Sequence, residues 1–197
     1  MPLLQLTVKE VKTINYTDYQ NSRDKVWQLL IDKNITTLPI KVVTLCKGLG
    51  IKVKSYEPTN DDDGYSCFID GVPYIFVNTN AYAPRQRFTV AHELGHILLG
   101  HVGKYELVNR EPSSEDNPIE QAANIFASRL LAPACVLWGC NVQSADDIVK
   151  LCHISKQAAE FRMERMRVLY ARQKFLTSPL EQQVYKNFEA YIKENKL

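Results

Sequence analysis

Helical spacing of apolar residues recurs along most of the chain. It predicts helices from Tyr19 to about residue 33, from Pro39 to Leu49 and from Pro84 onward, and Pro118 suits the first position of a further helix. The C-terminal third adds predicted helices at Ala145 to Cys152, at Ser155 to about Phe175, and after a capping box of Ser178, Pro179 and Glu181. Helices are therefore expected to dominate the fold.

Between residues 51 and 78 the apolar residues change to a strand-like pattern. IKVKSYE alternates with a period of two, and SCFI and VPYIFVN flank Asp70-Gly71, a strong signal for a hairpin turn. The pattern predicts an α+β fold with a small antiparallel three-stranded sheet before the helix at Pro84. Because so small a sheet leaves edges uncovered, we expect the strand from Pro73 to Asn78 to offer a free edge to an extended peptide.

The chain divides into a core with an extension at each end. The polar segment from Gly103 to Asn117 predicts a long, mobile loop within the core. We expect an N-terminal extension at residues 1–18, a core domain at residues 19–143, and C-terminal helices packed on that core at residues 144–197.

Composition narrows the partners and the location. A net charge of +2 in 197 residues gives no reason to expect nucleic acid or an anionic membrane as the main partner. No stretch approaches the roughly 18 uninterrupted apolar residues of a membrane span, and the opening MPLLQLTVKEVK lacks the features of a signal peptide. Five scattered cysteines without a C-x-x-C pair are typical of small buried side chains in a reducing compartment. The expected location is the cytoplasm.

The segment RFTVAHELGHILLGH, residues 87–101, contains the spacing H-E-x-x-H on a predicted core helix. At about 100° per residue, His92 and His96 lie one turn apart on the same side, so both imidazoles can reach one metal ion. Glu93 projects too far round to bind the same ion but can contact a water molecule beside it. Two histidines and one carboxylate are a common zinc-binding set with an open fourth position. The motif therefore predicts a catalytic zinc site that needs a third ligand.

Several residues are candidates for that third ligand. His101 lies nine residues beyond His92, on the opposite side of the helix, and is expected to be a helix C-terminal residue instead. A loop is a poor support for a rigid metal site, which disfavours Glu106, Glu111, Glu115 and Asp116. Glu120 is favoured, because it occupies the first turn of a helix whose apolar face must pack on the core.

Two paired motifs resemble the ImmA/IrrE family of metallopeptidases. They are R-F-T-x-A-H-E-L-G-H at Arg87 to His96 and E-x-x-A-N-x-F-A-x-x-L-L-x-P at Glu120 to Pro133. The resemblance, weaker over about residues 20–170, implies a zincin-like fold in which His92, His96 and Glu120 bind Zn²⁺ and Glu93 is the general base. Several family members are anti-repressors that cleave a helix-turn-helix repressor, so the implied partner is a regulatory protein substrate.

Two further roles at the site remain open. Asn124 lies one helical turn beyond Glu120, so its side-chain oxygen can accept the free ring N–H of a ligand histidine; the alternative is a bond to loop backbone. The group that stabilises the oxyanion is not identified, because four tyrosines lie in segments that could reach the site. They are Tyr65, Tyr74, Tyr82 and Tyr105.

Two other functions fit parts of the sequence. The helix pair over residues 145–175 has helix-turn-helix spacing, and a basic stripe on its second helix could contact DNA or a repressor: Lys156, Arg162, Arg165, Arg167, Arg172 and Lys174. The favoured interpretation of this stripe is the solvated face of a helix that packs through Ala158, Phe161, Met166 and Leu169. The other function is a non-proteolytic regulatory or toxin-antitoxin-type binding protein with a structural metal site.

Overall fold

The computed structural model describes residues 16–58, 62–102 and 117–197. Most of the predicted N-terminal extension and the segment 103–116, with Tyr105 and the four acidic residues weighed there as ligands, lie outside the described residues. In chain order, the elements before the motif helix are α1 (Tyr16–Asp32), α2 (Val42–Gly48), β1 (Lys52–Tyr56), β2 (Gly64–Ile69) and β3 (Val72–Asn78). The α+β class, with a three-stranded sheet ahead of the motif helix, is confirmed.

The hairpin of β2 and β3 forms where the sequence predicts it. Asp70 and Gly71 have positive φ angles of 50° and 74°, as a two-residue turn between antiparallel strands requires. β1 does not pair with β2 but lies on the other side of β3, parallel to it, with Lys52 opposite Tyr74. The sheet is therefore mixed, and the expectation of a wholly antiparallel sheet is wrong for β1.

This strand order also places β3 in the centre of the sheet, with the order β1-β3-β2. Both edges of β3 are occupied by neighbouring strands, so the expectation that the strand from Pro73 to Asn78 offers a free edge is wrong. The hairpin signal specifies only the pairing of β2 with β3. Which strand lies on the far side of β3 depends on tertiary packing.

The motif helix and the helix that follows pack against each other at the centre of the fold. They are α3 (Ala83–Leu98) and α4 (Pro118–Leu131). Pro118 is the first residue of α4 as predicted, and the side chain of Asn117 caps the helix by accepting a hydrogen bond from the Ile119 N–H at 2.9 Å. Apolar side chains from both helices are fully buried, among them Leu94 and Phe126.

Five helices complete the described chain: α5 (Ala134–Gly139), α6 (Ala145–Cys152), α7 (Lys156–Ala171), α8 (Pro179–Asn187) and α9 (Glu189–Glu194). The short helices α5 and α9 were not predicted, and α5 buries most of its residues, so it lacks the polar face that reveals a helix in a sequence. Only one of the two hydrogen bonds of the predicted capping box at α8 forms. Ser178 accepts from the Glu181 N–H, but the Glu181 carboxylate accepts from Thr177 rather than from Ser178.

Two composition features have simple structural explanations. All five cysteines are free thiols, four of them buried, and burial raises the pKa of Cys46 and Cys152 to about 12. The stretch Pro118–Gly139 is long and apolar enough to cross a membrane, but 67% of its most apolar 18-residue window is buried inside the fold. Such burial is what the core helices of a folded domain show.

Close approach of α3 and α4 depends on Gly95. A Cβ atom at this position would lie 3.1–3.2 Å from three atoms of the Phe126 side chain, which is fully buried and has little room to move. Glycine at position 95 therefore allows the two helices to approach more closely than any other residue at this position would allow. The spacing between the helices in turn sets the distance from the histidines of α3 to Glu120 of α4.

We expect Gly95→Ala to lower the free energy of unfolding by about 1–2 kcal/mol, because the cost of overpacking exceeds the gain from alanine's helix propensity. Urea denaturation followed by circular dichroism measures this change. Gly48→Ala is the matched control, since its Cβ would meet nothing within 4 Å. Unchanged stability of Gly95→Ala would show that Phe126 can repack and that the contact does not limit the helix spacing.

Candidate metal centre

Three side chains from α3 and α4 converge on one point. His92 Nε2 lies 2.9 Å from His96 Nε2 and 3.1 Å from Glu120 Oε2, and His96 Nε2 lies 3.4 Å from Glu120 Oε1. Among the described residues these three form the one group of histidine, cysteine or acidic side chains close enough to share an ion. The structure thus brings together the three residues predicted as ligands.

The hydrogen-bond partners of the two rings determine which nitrogen atoms face this point as acceptors. Asn124 Oδ1 lies 2.9 Å from His92 Nδ1, and an amide oxygen can only accept, so Nδ1 carries the proton. In the neutral ring, His92 Nε2 therefore presents a lone pair towards His96 Nε2 and a carboxylate oxygen. Lone pairs that face one another at this distance repel unless a cation lies among them. This arrangement of atoms therefore suits a metal ion.

Electrostatics keep the carboxylate of Glu120 ionised. Rings that carry a second proton donate hydrogen bonds to Glu120, first from His92 and then from His96, and these bonds hold the pKa of its carboxyl well below the usual range, although burial alone would raise it. His96 has only 5% of its side chain exposed, whereas His92 has 15% and Glu120 has 32%. A ligand can therefore approach the site from the side of Glu120.

The donor set fits zinc. Two ligands about 2.0–2.2 Å from a tetrahedral zinc ion lie about 3.3 Å apart, and the three observed separations are close to that value. Two histidines and one carboxylate leave a fourth position for a reactant, as in catalytic rather than structural zinc sites. Histidine and carboxylate donors also match the preference of this ion.

Glu93 lies beside this group but is held by a different element. Its Oε2 accepts a hydrogen bond of 2.6 Å from the hydroxyl of Ser66 on β2, and the two residues are 2% and 4% exposed. Glu93 is therefore a second buried carboxylate with its own support, separate from Glu120. Sequence analysis did not identify Ser66, although a serine among the inward-facing positions of a half-buried strand is a signal for such a role.

His101 is not one of the three converging ligands, yet it contacts one of them. Gly100, with φ of 74°, ends the motif helix and reverses the chain, so that the His101 N–H bonds to the His96 carbonyl at 2.9 Å. The His101 ring then places its Nδ1 3.1 Å from His96 Nδ1. Each histidine of the motif thus has a partner on its Nδ1 atom, which orients Nε2 towards Glu120.

The three described tyrosines considered for the oxyanion lie away from the site. Tyr65 and Tyr74 stack on Phe76 at ring separations of 4.9 and 5.9 Å. These side chains occupy the face of the sheet opposite to Ser66, because neighbouring residues of a strand project to opposite faces. Tyr82 immediately precedes the N-terminus of α3, and its side chain is 58% exposed.

The basic stripe predicted on α7 is not one continuous exposed surface. Arg162 is 6% exposed, with its Nε bonded to the Ala132 carbonyl at 2.8 Å, and Arg165 donates to the Tyr19 hydroxyl at 2.8 Å. Lys156 pairs with Asp146. The packing positions differ as well, since Phe161 was expected to be buried but is 65% exposed. Part of the positive charge of α7, that of Arg162, therefore lies inside the fold.

The geometry agrees with a comparison against protein families. The family described as the IrrE N-terminal-like domain, Peptidase_M78, matches residues 46–170. This match covers more than half of the chain and includes both helices of the site, so the chain belongs to this family of metallopeptidases. The resemblance to the ImmA/IrrE family is thereby confirmed. No curated protein matches the chain.

The purified chain is expected to contain about one zinc ion per molecule. Asn124→Ala is expected to weaken zinc binding by about tenfold or more, because His92 loses the partner that orients its ring. Competition with a chromogenic chelator measures the affinity, and Ser128→Ala, one turn further along α4, is the control. Elemental analysis that finds no metal in protein never exposed to chelator would contradict the site, and an unchanged affinity of Asn124→Ala would contradict the role of Asn124.

Proposed function

We propose that this protein is a zinc-dependent endopeptidase whose substrate is a regulatory protein, with a helix-turn-helix repressor as the expected target. The observation that carries the proposal is the convergence of His92, His96 and Glu120 next to the separately supported carboxylate of Glu93. The family supports peptide-bond hydrolysis as the reaction class. The resemblance to anti-repressors supports the choice of target.

Each residue of the site has a distinct part in the proposed reaction. Zinc bound to the three ligands would supply Lewis-acid activation of water and of a peptide carbonyl. Glu93 accepts a proton from the attacking water and delivers it to the nitrogen of the departing amine. Ser66 holds one oxygen of the Glu93 carboxylate, so the carboxylate keeps one orientation during both transfers.

The buried position of Glu93 supports a peptidase over a protein with a purely structural metal. A structural zinc site is closed by four protein ligands. A buried carboxylate that does not bind the zinc ion would have no role in such a site. Removal of Glu93 from such a scaffold would change nothing that depends on the metal. The same removal from a peptidase eliminates the base.

The sheet suggests how the substrate backbone is held. Of the described strands only β3 pairs with β2, and β2 is the strand that contacts Glu93 through Ser66. An extended peptide aligned with the margin of β2 would bring its carbonyl groups past the base. A compact domain cannot adopt this conformation, so we expect the cut to lie in a flexible segment of the target.

Glu93→Gln is expected to retain zinc and the fold but to abolish cleavage, because the amide cannot accept the proton. The test incubates each protein with helix-turn-helix repressors, including any encoded next to its gene, separates the products by electrophoresis and maps the cut by mass spectrometry. Glu57→Gln, on the loop after β1, is a control of equal charge change. Undiminished cleavage by Glu93→Gln would exclude this residue as the base and favour the scaffold alternative.

Ser66→Ala is expected to lower kcat by about tenfold with little change in KM, since a hydrogen bond to a charged group orients the base and not the substrate. Zinc content should be unchanged, and Ser66→Thr, which keeps the hydroxyl, should restore most of the rate. Ser55→Ala on β1 is the control for a serine at an exposed strand position. A loss of stability without any loss of kcat in the folded, zinc-loaded enzyme would reduce Ser66 to a structural residue.

A further inference from the structure

A concave site beside the candidate metal centre shares Asn124 with it and otherwise has no part in the mechanism above. It is a cavity of about 640 Å³ between α1, α4 and α7. The residues that define its character are Tyr19, Asn124, Arg129, Phe161, Arg162 and Arg165. Three of these six are arginines, which is unusual in a chain whose net charge is only +2.

Contacts within the protein hold the arginine side chains around the cavity. The guanidinium carbon of Arg129 lies 4.2 Å from the centre of the Tyr19 ring, and Arg165 Nη2 donates to the hydroxyl of the same tyrosine at 2.8 Å. Arg162 is anchored by the bond of its Nε to the Ala132 carbonyl. Side chains that are already ordered lose little entropy when they bind a ligand.

The three arginines have no direct salt-bridge partner among the described residues, although Asp24 partly offsets the lowering of the Arg129 pKa. Within the described ranges, no salt bridge joins any of them to a carboxylate. Asp24 pairs with Arg23 at 2.7 Å, and Glu181 accepts from the Thr177 N–H. Burial, with repulsion between neighbouring guanidinium groups, lowers the pKa of Arg129 and Arg162 to about 10. A bound anion would relieve this repulsion.

The cavity is connected to the metal centre through α4. Glu120, Asn124 and Ser128 lie at successive turns on one side of this helix, and Asn124 both lines the cavity and bonds to His92. Eight residues of helix separate Glu120 from Ser128 by about 12 Å. An extended peptide advances about 3.3 Å per residue, so a chain at the metal reaches the cavity within three or four residues.

We propose that this arginine-lined cavity is a specificity subsite that binds an acidic side chain of the protein substrate, about three or four residues from the cleaved bond. The inference rests on the proposed peptidase function and adds to it a sequence preference. An arginine fork pairs with a carboxylate through two parallel hydrogen bonds. The exposed ring of Phe161 supplies an apolar surface for the carbon stem of the acidic residue or for an apolar neighbour.

A peptide carboxylate fits the cavity better than a nucleic-acid phosphate. Arg162 and Arg165 of α7 line a concave site, whereas a phosphate backbone is followed by basic residues along an open surface. Three further basic residues, Arg167, Arg172 and Lys174, stay outside the cavity.

The test measures binding of labelled peptide pools to the zinc-loaded, full-length protein by fluorescence anisotropy. One pool of twelve-residue peptides contains glutamate at a fixed central position, and the matched pool contains glutamine there. The glutamate pool is expected to bind about tenfold more tightly, as for a charge-assisted hydrogen bond. Arg165→Gln should abolish this preference, whereas Arg167→Gln, an exposed residue of the same helix with the same charge change, should leave it intact.

Inorganic phosphate and a short DNA duplex serve as competitors. Equal binding of both peptide pools, or an equal effect of the two arginine variants, would overturn the proposal. So would binding of phosphate or DNA that depends on Arg165 while the glutamate pool shows no preference, since the occupant would then be a phosphate. Thermal melting of each variant verifies that it is folded, and Arg165→Lys provides a second variant that keeps the charge but loses the fork.

The cleavage assay separates this proposal from the peptidase function. In the repressor, replacement by glutamine of an acidic residue three or four positions from the cut should raise KM about tenfold and leave kcat nearly unchanged. Cleavage that is indifferent to this change and to Arg165→Gln would overturn the subsite while the peptidase function stands. Preferential binding of the glutamate pool without any cleavage would retain the binding site and contradict the peptidase.

Discussion

The packing of α3 against α4 is the constraint on which the rest of the structure depends. The histidines belong to one helix and Glu120 to the other, so the metal group exists only at one separation of the two helices. Gly95 faces the buried Phe126 side chain at this contact and permits that separation. The same contact lies in the hydrophobic core, which means that the energy of folding maintains the geometry of the site.

The carboxylates of Glu93 on α3 and Glu120 on α4 have different surroundings, which suit them to different roles. Glu120 faces two imidazoles, remains ionised and is partly exposed, which suits a metal ligand. Glu93 is buried and bonded to a neutral hydroxyl of the sheet, which suits a group that accepts and returns a proton. In the proposed mechanism the sheet thus contributes to the chemistry, although it supplies none of the three converging ligands. Its position against α3 is what brings Ser66 to Glu93.

The arginines around the cavity beside the candidate metal centre also differ in their surroundings, and Arg162 is the one that is buried. α7 is a weakly amphipathic helix by its sequence, and in the fold it directs Arg162 inward while Phe161 stays exposed. An inward arginine without a carboxylate partner costs desolvation energy that a bound anion can offset. This desolvation cost is better explained if the arginine belongs to a binding site than if it only contributes to the stability of the core.

The amino-acid sequence by itself determined the features that depend on local spacing. The pair of histidines with Glu93 follows from the period of one helix, the hairpin follows from Asp70-Gly71, and Pro118 marks the start of the helix that carries Glu120 and Asn124. Tertiary structure alone decided the features that join distant segments: the position of β1 beside β3, the bond from Ser66 to Glu93, the return of His101 to His96 and the cavity that unites α1, α4 and α7. The physical reason is that hydrogen bonds and side-chain periods within an element act over a few residues, whereas the order of strands and the face a helix buries are set by packing among elements far apart in the chain.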